Sequence, residues 1–223
     1  MENIPNYYGI DINVFKNHFY INLEHRKDRN KDVIKELKKL QINANRINAV
    51  KHKIGIVGCC LSHMKCVQKA KENNWDYVTI FEDDVIIKSP DSLIKKVKQL
   101  INTDFDVMML GGNNFQPFIE YKDYIKVSKC YGTVAYIVKK HYYDVLLKNF
   151  NDGLELLLKT NDRNYSLDVY NHILQRQDKW ILITPIHAFQ KPDYSDIENE
   201  KVNYTELFNA NKDMEKHLIY NKL

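Results

Sequence analysis

Apolar and polar residues follow one another along this chain in blocks that predict strands and helices in turn. Runs of β-branched and aromatic residues predict short buried strands, at 19–23, 43–50, 77–81, 106–110 and 180–184. Apolar residues that recur at helical spacing predict helices, at 31–40, 55–73, 90–101, 141–150 and 166–176. The strand–helix alternation up to Gly112 favours a parallel α/β sheet.

The pattern changes after Gly112, where strands at 125–129 and 133–138 are expected to run antiparallel. Ser89 is predicted to cap the helix after the central strand, with Pro90 at its first position. The sequence contains no evident interdomain linker. We therefore expect one domain over 18–198, with a lead-in over 1–17 and a tail over 199–223 that includes a weak helix near 204–217.

Composition narrows the classes of function. The 223 residues carry a net charge of +4 with a pI near 8.6, which suits a phosphate-bearing ligand but lacks the basic stripe typical of nucleic-acid binding. Four cysteines in no metal-binding or disulfide pattern predict reduced, mostly buried thiols. No signal peptide or membrane-spanning apolar run is evident. We expect a soluble cytoplasmic protein, with peripheral membrane attachment and self-association left open.

Three consecutive acids, Glu82, Asp83 and Asp84, end the central strand predicted at 77–81. Side chains alternate along an extended chain, so Glu82 and Asp84 are expected to point one way and Asp83 the other. Carboxylates this close repel one another unless a positive group lies among them. A hard divalent cation that carries phosphates would satisfy them. The alternative is a solvated turn.

Arg26 and Arg29 follow the first strand, in a stretch expected to be a loop. Ligands of parallel α/β sheets lie beyond the carboxyl ends of the strands, so this stretch and the acid triplet should meet at one edge. Guanidinium groups match phosphate oxygens, and a nucleoside diphosphate bridged by a metal would engage both features. Taken singly, each arginine fits a surface ion pair better.

Gly55 and Gly58 begin the second predicted helix, where glycines let a ligand approach free N–H groups. Ser62 and His63 lie one turn further on and could contact a sugar or a ribose. Packing of these two side chains against the neighbouring strand is an equal alternative.

These motifs together resemble glycosyltransferase family 25, the group of lipooligosaccharide and procollagen galactosyltransferases. The resemblance rests on three ordered motifs and on a later strand: Asn22-Leu23-x-x-Arg26-x-x-Arg29, Gly55-x-x-Gly58-Cys59-x-x-Ser62-His63, Phe81-Glu82-Asp83-Asp84-Val85 and Gly132-Thr133-Val134-Ala135-Tyr136-Ile137-Val138. It runs from about Phe19 to about Ile197. The resemblance implies a GT-A-like mixed sheet flanked by helices, a UDP-sugar donor such as UDP-galactose or UDP-glucose, Mn²⁺ (or Mg²⁺) and inversion at the anomeric carbon.

The resemblance also implies roles for residues at the matched positions. The donor would be bound by the first two motifs and by the start of the triplet, at Asn22, Leu23, Arg26, Arg29, Gly55, Gly58, Ser62, His63 and Glu82. Asp84 and Glu82 would hold the metal, and Asp83 would act at the reacting sugar. The acceptor would be a glycan or the hydroxylysine of a collagen-like protein.

An inverting transfer needs a base for the acceptor hydroxyl, from a part of the chain other than the triplet. Asp168 begins a helix after the antiparallel section and is the candidate, with Asp162 and Glu155 as weaker ones. Alternatively, Asp168 only stabilises the first turn of that helix. His187, which follows the last strand, is a candidate metal ligand, although a lone histidine there is more often structural. The alternative to an enzyme is a non-catalytic nucleotide-sugar-binding module.

Overall fold

A mixed β-sheet forms the centre of the molecule in the computed structural model, which describes residues 13–205 and residue 207. The strands are β1 (His18–Asn22), β2 (Arg46–Asn48), β3 (Tyr77–Glu82), β4 (Val85–Ile87), β5 (Val107–Met109), β6 (Asn113–Phe115), β7 (Ile119–Glu120), β8 (Tyr124–Lys126), β9 (Lys129–Tyr131), β10 (Ala135–Lys139), β11 (Trp180–Ile183), β12 (Ala188–Gln190), β13 (Asp193–Ser195) and β14 (Glu200–Val202). The helices are α1 (Lys27–Lys38), α2 (Gly55–Glu72), α3 (Pro90–Leu100), α4 (Tyr143–Thr160), α5 (Leu167–Tyr170) and α6 (His172–Gln177).

The main sheet has eight strands in the order β2-β1-β3-β10-β5-β11-β8-β7. β1 is parallel to β2 and β3, and β5 is parallel to β11. β10 is antiparallel to both β3 and β5, so those two strands run the same way and their carboxyl ends share one edge. Three two-stranded ladders, β4–β12, β6–β9 and β13–β14, lie outside this sheet. The predicted mixed sheet flanked by helices is confirmed, including the antiparallel section.

Apolar side chains pack on both faces of the sheet. Residues of α2, α4 and α6 form the core on one face with Phe19, Ile80 and Tyr136. Residues of α1 and α3 form the core on the other face with Tyr20 and Phe81. Successive strand residues supply opposite faces, as the alternation of side chains along a strand requires.

Three helices differ from their predictions. The single helix predicted at 166–176 is two short helices, α5 and α6. α1 begins at Lys27 rather than 31, and its buried face runs Arg29, Val33, Leu37. A buried arginine therefore occupies the position where an apolar residue would have signalled the helix. α4 continues to Thr160, ten residues beyond the predicted end, and Leu154 and Leu157 continue its buried face.

The start of α3 was predicted only in part. Pro90 occupies the first turn, as expected, but Ser89 has a left-handed backbone (φ 51°) and its hydroxyl makes no capping hydrogen bond. All four cysteines are free thiols, and three of them are buried. No helix within the described residues is long and apolar enough to cross a membrane. Residues 1–12 of the expected lead-in, and most of the helix expected near 204–217, lie outside the described residues.

Candidate active site

The acid triplet lies where β3 ends at the carboxyl edge of the sheet. Glu82 is the last residue of β3, and Asp83 and Asp84 form the turn into β4. Asp83 and Asp84 were predicted to point in opposite directions. This prediction is wrong, because β3 ends at Glu82 and both carboxylates contact Arg29. One nitrogen, Arg29 Nη1, donates to Asp83 Oδ1 and to Asp84 Oδ2, each at 3.0 Å.

Arg26 and Arg29 lie at the same edge as the triplet. Arg26 is the N-cap residue of α1 and Arg29 lies in its first turn, so this stretch is not the predicted loop. Arg26 donates to Asp28 Oδ2 at 2.9 Å and to Asp193 Oδ2 at 3.0 Å. Arg29 also reaches Asp193 Oδ2, at 3.2 Å from Nε. The positive group among the carboxylates is thus a guanidinium of the protein itself.

Asp84 is the most perturbed carboxyl group of the triplet. Its side chain is 5% exposed. Burial and the charge of Glu82 raise its pKa to about 7, against the opposing effect of Arg29. Oδ2 accepts from Arg29 and from Gln190 Nε2 at 3.1 Å, whereas buried Oδ1 has no partner among the described residues. A buried acceptor without a donor is uncommon, so Oδ1 is a candidate ligand atom.

Glu82 is held differently from Asp84. Its Oε1 accepts from Thr133 Oγ1 and lies 3.4 Å from His63 Nε2. Burial opposes its ionisation, but the nearby His63 and the hydrogen bond from Thr133 outweigh burial and keep the pKa of Glu82 below its ordinary value. His63 is 1% exposed, and its Nδ1 lies 2.8 Å from the Tyr136 hydroxyl. The structure therefore buries His63 in the core between Tyr136 and Glu82, with its Nε2 making no hydrogen bond among the described residues.

The glycines at the start of α2 accommodate protein backbone rather than an approaching ligand. A Cβ at Gly58 would lie 2.5 Å from the carbonyl oxygen of Val50, and a Cβ at Gly55 would lie 3.0 Å from that of Asp196. The Ser62 hydroxyl donates to Gly58 O at 2.6 Å and accepts from Val50 N at 2.8 Å. Packing, the alternative considered for Ser62, is what the structure shows.

Asn22 is the last residue of β1 and Leu23 follows it, beside the triplet. Asn22 Nδ2 donates to Asp83 Oδ2 at 2.7 Å and to Arg26 O at 3.1 Å. Its buried Oδ1 has no partner among the described residues. Leu23 is half-buried and contributes its carbonyl to the turn, accepting from Arg26 N at 3.0 Å.

Asp168 lies in the first turn of α5 and faces the segment that leads into β10. Its Oδ2 accepts from Gly132 N at 3.3 Å, and its Oδ1 accepts from Ser166 Oγ at 3.1 Å. Gly132 precedes Thr133, the residue bonded to Glu82, so Asp168 lies one residue along this segment from the triplet. The other two candidate bases are exposed, and each hydrogen-bonds to a near neighbour in sequence: Asp162 with Asn164 and Glu155 with Asn151.

His187 does not meet the acids. The β4–β12 ladder pairs Gln190 with Val85 and Ala188 with Ile87. His187 immediately precedes β12, so it lies at the opposite end of this ladder from Asp84, which immediately precedes Val85. Its ring nitrogens contact Lys88 O at 3.2 Å and Ser92 Oγ at 3.3 Å. The expectation of His187 as a metal ligand beside Glu82 and Asp84 is corrected for this reason. Within 13–205, no three His, Cys, Asp or Glu side chains form a ready metal site.

The β13–β14 hairpin is the part of the site that the sequence did not predict. Asp193 and Asp196 bind Arg26, and the carbonyl of Tyr194 accepts from Arg29 Nη2 at 2.8 Å. Glu198, in its loop, pairs with Arg163. Residues 199–223 were expected to form a tail, but β14 lies in that range and pairs with β13. Only the excess of acids opposite two arginines could have indicated this hairpin.

Known proteins resemble this chain over a region that contains the motifs at 55–63 and 81–85. A model described as "Glycosyltransferase family 25 (LPS biosynthesis protein)" matches residues 54–156. A Haemophilus influenzae protein named "Putative glycosyltransferase" is 30% identical over 129 residues, which are 53% of this chain and 45% of the relative. The "Lipooligosaccharide biosynthesis protein lex-1" of the same organism is 26% identical over 167 residues, 66% of this chain and 55% of the relative. These matches support the predicted resemblance to glycosyltransferase family 25.

The family 25 match covers the start of α2, the acid triplet and β10, but not Arg26, Arg29, Asp168 or His187. The chain spans about half the length of the two curated relatives. Among solved structures, a glycosyltransferase involved in the glycosylation of the major capsid of PBCV-1 is 12% identical with a TM-score of 0.49, over 74% of this chain and 79% of that chain.

Proposed function

We propose that this chain is a metal-dependent, inverting glycosyltransferase that moves galactose, or glucose, from a UDP-sugar to a hydroxyl group of a glycan. The observation that carries the proposal is the buried, unpartnered Oδ1 of Asp84 at the carboxyl edge of the sheet. The match to the family 25 model and the lipooligosaccharide name of one relative support the reaction class and a glycan acceptor. Hydroxylysine of a collagen-like protein is the other acceptor to be tested.

The residues of this edge fit a divalent cation bound together with a diphosphate. Mg²⁺ and similar ions are usually held by one or two carboxylates, with substrate phosphates supplying further oxygens. Asp84 Oδ1 is such a carboxylate oxygen, while Glu82 Oε1 is occupied by Thr133. Asp84 would therefore hold Mn²⁺ or Mg²⁺ as the direct protein ligand. The ion would supply Lewis acidity toward the departing diphosphate.

Asp168 would accept the proton of the acceptor hydroxyl. As that proton moves to the carboxylate, the hydroxyl oxygen forms a bond to the anomeric carbon, and the bond from that carbon to the diphosphate breaks. Attack from the face opposite the leaving group inverts the configuration. Asp168 suits this role because it lies beside the triplet, comes from a different element and is partly exposed.

Arg26 and Arg29 would bind the diphosphate only after changing partners. Arg29 donates to Asp83, Asp84 and Asp193, and Arg26 donates to Asp28 and Asp193. A diphosphate offers pairs of anionic oxygens that can accept two hydrogen bonds from a guanidinium, as the carboxylates that it would replace do. Binding of the donor is therefore expected to displace the β13–β14 hairpin from the arginines.

A donor screen tests the proposal. UDP-galactose, UDP-glucose and other UDP-sugars are incubated with the full chain, with and without Mn²⁺, and released UDP is measured. We expect Mn²⁺-dependent release with a hexose donor, loss of release in Asp84→Asn, and normal release in Asp91→Asn, an exposed acid in the first turn of α3. UDP binding without turnover of any donor would favour the non-catalytic binding module. Absence of both binding and turnover would refute the proposal.

A further inference from the structure

Four consecutive residues, 130–133, link β9 to the acid triplet. Each contacts one polar side chain, in order: Cys130 with Gln175, Tyr131 with His172, Gly132 with Asp168, and Thr133 with Glu82. The chain turns at Gly132 (φ 85°), and because Tyr131 and Thr133 are only two residues apart, their Cα atoms are at most about 7 Å apart. A molecule whose hydroxyl reaches Asp168 would extend over this segment toward His172.

Three buried polar atoms in this region lack a partner among the described residues: Nε2 of His172 and Oδ1 of Asn113 and of Asn114. The His172 ring meets the Tyr131 ring edge-on with centroids 4.5 Å apart. Asn113 is the cross-strand partner of Tyr131 in the β6–β9 ladder, so the two side chains share a face. Asn114 pairs with Cys130 and faces the other way.

The chemistry of these atoms selects the ligand. The backbone N–H of Cys130 donates to Gln175 Oε1 at 2.7 Å, so the hydrogen bond from His172 to the Cys130 backbone goes to its carbonyl. Nδ1 of His172 therefore carries the proton, and Nε2 of the neutral ring is an acceptor. The side chain is 6% exposed, so an unmet acceptor here is costly. Nε2, Asn113 Oδ1 and the Asp168 carboxylate all call for donors rather than for an anion.

We propose that Tyr131, His172 and Asn113 form a subsite for the acceptor sugar, a neutral saccharide whose hydroxyl groups donate to His172 Nε2 and Asn113 Oδ1. This inference rests on the proposed function, because it places the acceptor of that reaction. It adds the chemical class of the acceptor and the residues that orient it. His172 and Asn113 act in binding, whereas Asp168 receives the proton.

Saturation-transfer NMR tests the subsite with four probes: lactose, maltose, cellobiose and N-acetyllactosamine. We expect at least one of them to give a signal with the full chain in the presence of saturating UDP and Mn²⁺. The signal should be lost in His172→Phe, which keeps an aromatic ring against Tyr131 but removes the acceptor, and in Asn113→Ala. It should persist in Asn114→Ala, the matched amide on the opposite face of β6. Circular dichroism of each variant establishes that it is folded.

Several outcomes would overturn the subsite. The first is a saccharide signal that persists in both His172→Phe and Asn113→Ala. The second is a saccharide signal that inorganic phosphate abolishes. The third is the absence of a signal from all four saccharides. A misfolded His172→Phe leaves Asn113→Ala against Asn114→Ala as the deciding pair. The donor screen fails or succeeds separately. Saccharide binding that depends on His172 without turnover of UDP-sugars would retain the subsite and reject the transferase. Turnover of UDP-sugars together with a saccharide signal that does not depend on His172 would retain the transferase and reject the subsite.

Discussion

Asp168 is the proposed base, and its role as a proton acceptor can be tested separately from its hydrogen bonds. Its carboxylate accepts from Gly132 N and from Ser166 Oγ, which an asparagine side-chain oxygen could still do in part. An amide cannot take up a proton at neutral pH. We therefore expect Asp168→Asn to bind UDP and Mn²⁺ with unchanged calorimetric affinity while transfer falls about 10²- to 10⁴-fold, the usual contribution of a general base.

The control for this prediction is Asp162→Asn. Asp162 lies six residues before Asp168, is exposed and accepts from the backbone N–H of Asn164. Its neutralisation should leave transfer within a few-fold of wild type. A turnover rate of Asp168→Asn close to that of Asp162→Asn would remove Asp168 as the base and leave it a stabiliser of the first turn of α5.

His172 makes a second prediction, which concerns stability. Burial is the main reason that its pKa falls from 6.5 to about 4, with Asp168 opposing and Arg176 and Lys129 assisting. The unfolded chain therefore binds a proton between pH 6.5 and 4 that the folded chain refuses. Stability is retained above pH 6.5 and is lost as the pH falls toward 4, by about 3 kcal/mol from this group.

Urea denaturation at several pH values checks this expectation. His18 and His187 also have lowered pKa values through burial, so the wild type alone does not isolate His172. The comparison is the difference between wild type and His172→Phe. We expect the stability of wild type to fall more steeply from pH 6.5 to 4 than that of the variant. Parallel curves would show that His172 is not held neutral in the fold.

At the scale of elements, the β13–β14 hairpin determines what Arg26 and Arg29 are free to bind. Asp193 Oδ2 accepts from both arginines, at 3.0 and 3.2 Å, and so does the carbonyl oxygen of Tyr194, at 3.2 and 2.8 Å. If a diphosphate uses the same guanidinium groups, hairpin and donor compete. We then expect Asp193→Asn to lower the Kd for UDP with Mn²⁺ roughly three- to tenfold, since tenfold corresponds to about 1.4 kcal/mol.

Calorimetry measures that affinity, and hydrogen exchange of 193–202 reports the hairpin itself. Exchange there should quicken when UDP and Mn²⁺ bind to wild type, because the hairpin loses its arginine partners. Glu200→Gln is the control, an exposed acid of β14 whose cross-strand partner is Ser195. Equal affinity in all three proteins, with unchanged exchange, would mean that the arginines anchor the hairpin and do not bind the donor.

Elements with a strong apolar period could be predicted from the sequence, and those built on polar contacts could not. The pattern Tyr77 to Phe81 identified β3, whose side chains are buried on both faces. The start of α1 was missed because buried Arg29 continues its apolar face. β13 and β14 are held by ion pairs with distant residues, which hydrophobic periodicity does not register.

The same limit applied within the site. The meeting of Arg29 with Asp83 and Asp84 was predictable, because carboxyl ends of parallel strands share an edge. The internal partners of Ser62 and His63 were not, since they depend on Val50 and on Tyr136 from separate elements. The position of His187 depended on the β4–β12 register, which no local pattern indicated.

At the scale of the whole molecule, several polar groups whose burial is unfavourable lie together at the carboxyl edge of the sheet, around Asp83 and Asp84. Burial raises the pKa of Asp83 as well as that of Asp84, and Asp84 Oδ1 and Asn22 Oδ1 are left without partners among the described residues. Each unmet buried polar atom costs about 1–3 kcal/mol. A ligand that supplies a cation and hydrogen-bond donors at this edge would gain affinity by satisfying these atoms, and through that affinity it would stabilise the folded state.

Thermal unfolding measures the stabilisation that a ligand at this edge provides. A ligand that binds only the folded state at a hundredfold excess over its Kd adds about 2.7 kcal/mol of stability. For a chain of this size that corresponds to a rise in Tm of about 5–10 °C. We expect UDP and Mn²⁺ together to produce it, Mn²⁺ alone to produce less, and Asp84→Asn to abolish the difference between UDP with and without Mn²⁺. Because Asn is close to isosteric with Asp and removes the charge, that variant should itself be more stable than wild type when no ligand is present. A variant that is less stable and still shows the full shift would separate Asp84 from the metal and leave its burial unexplained by function.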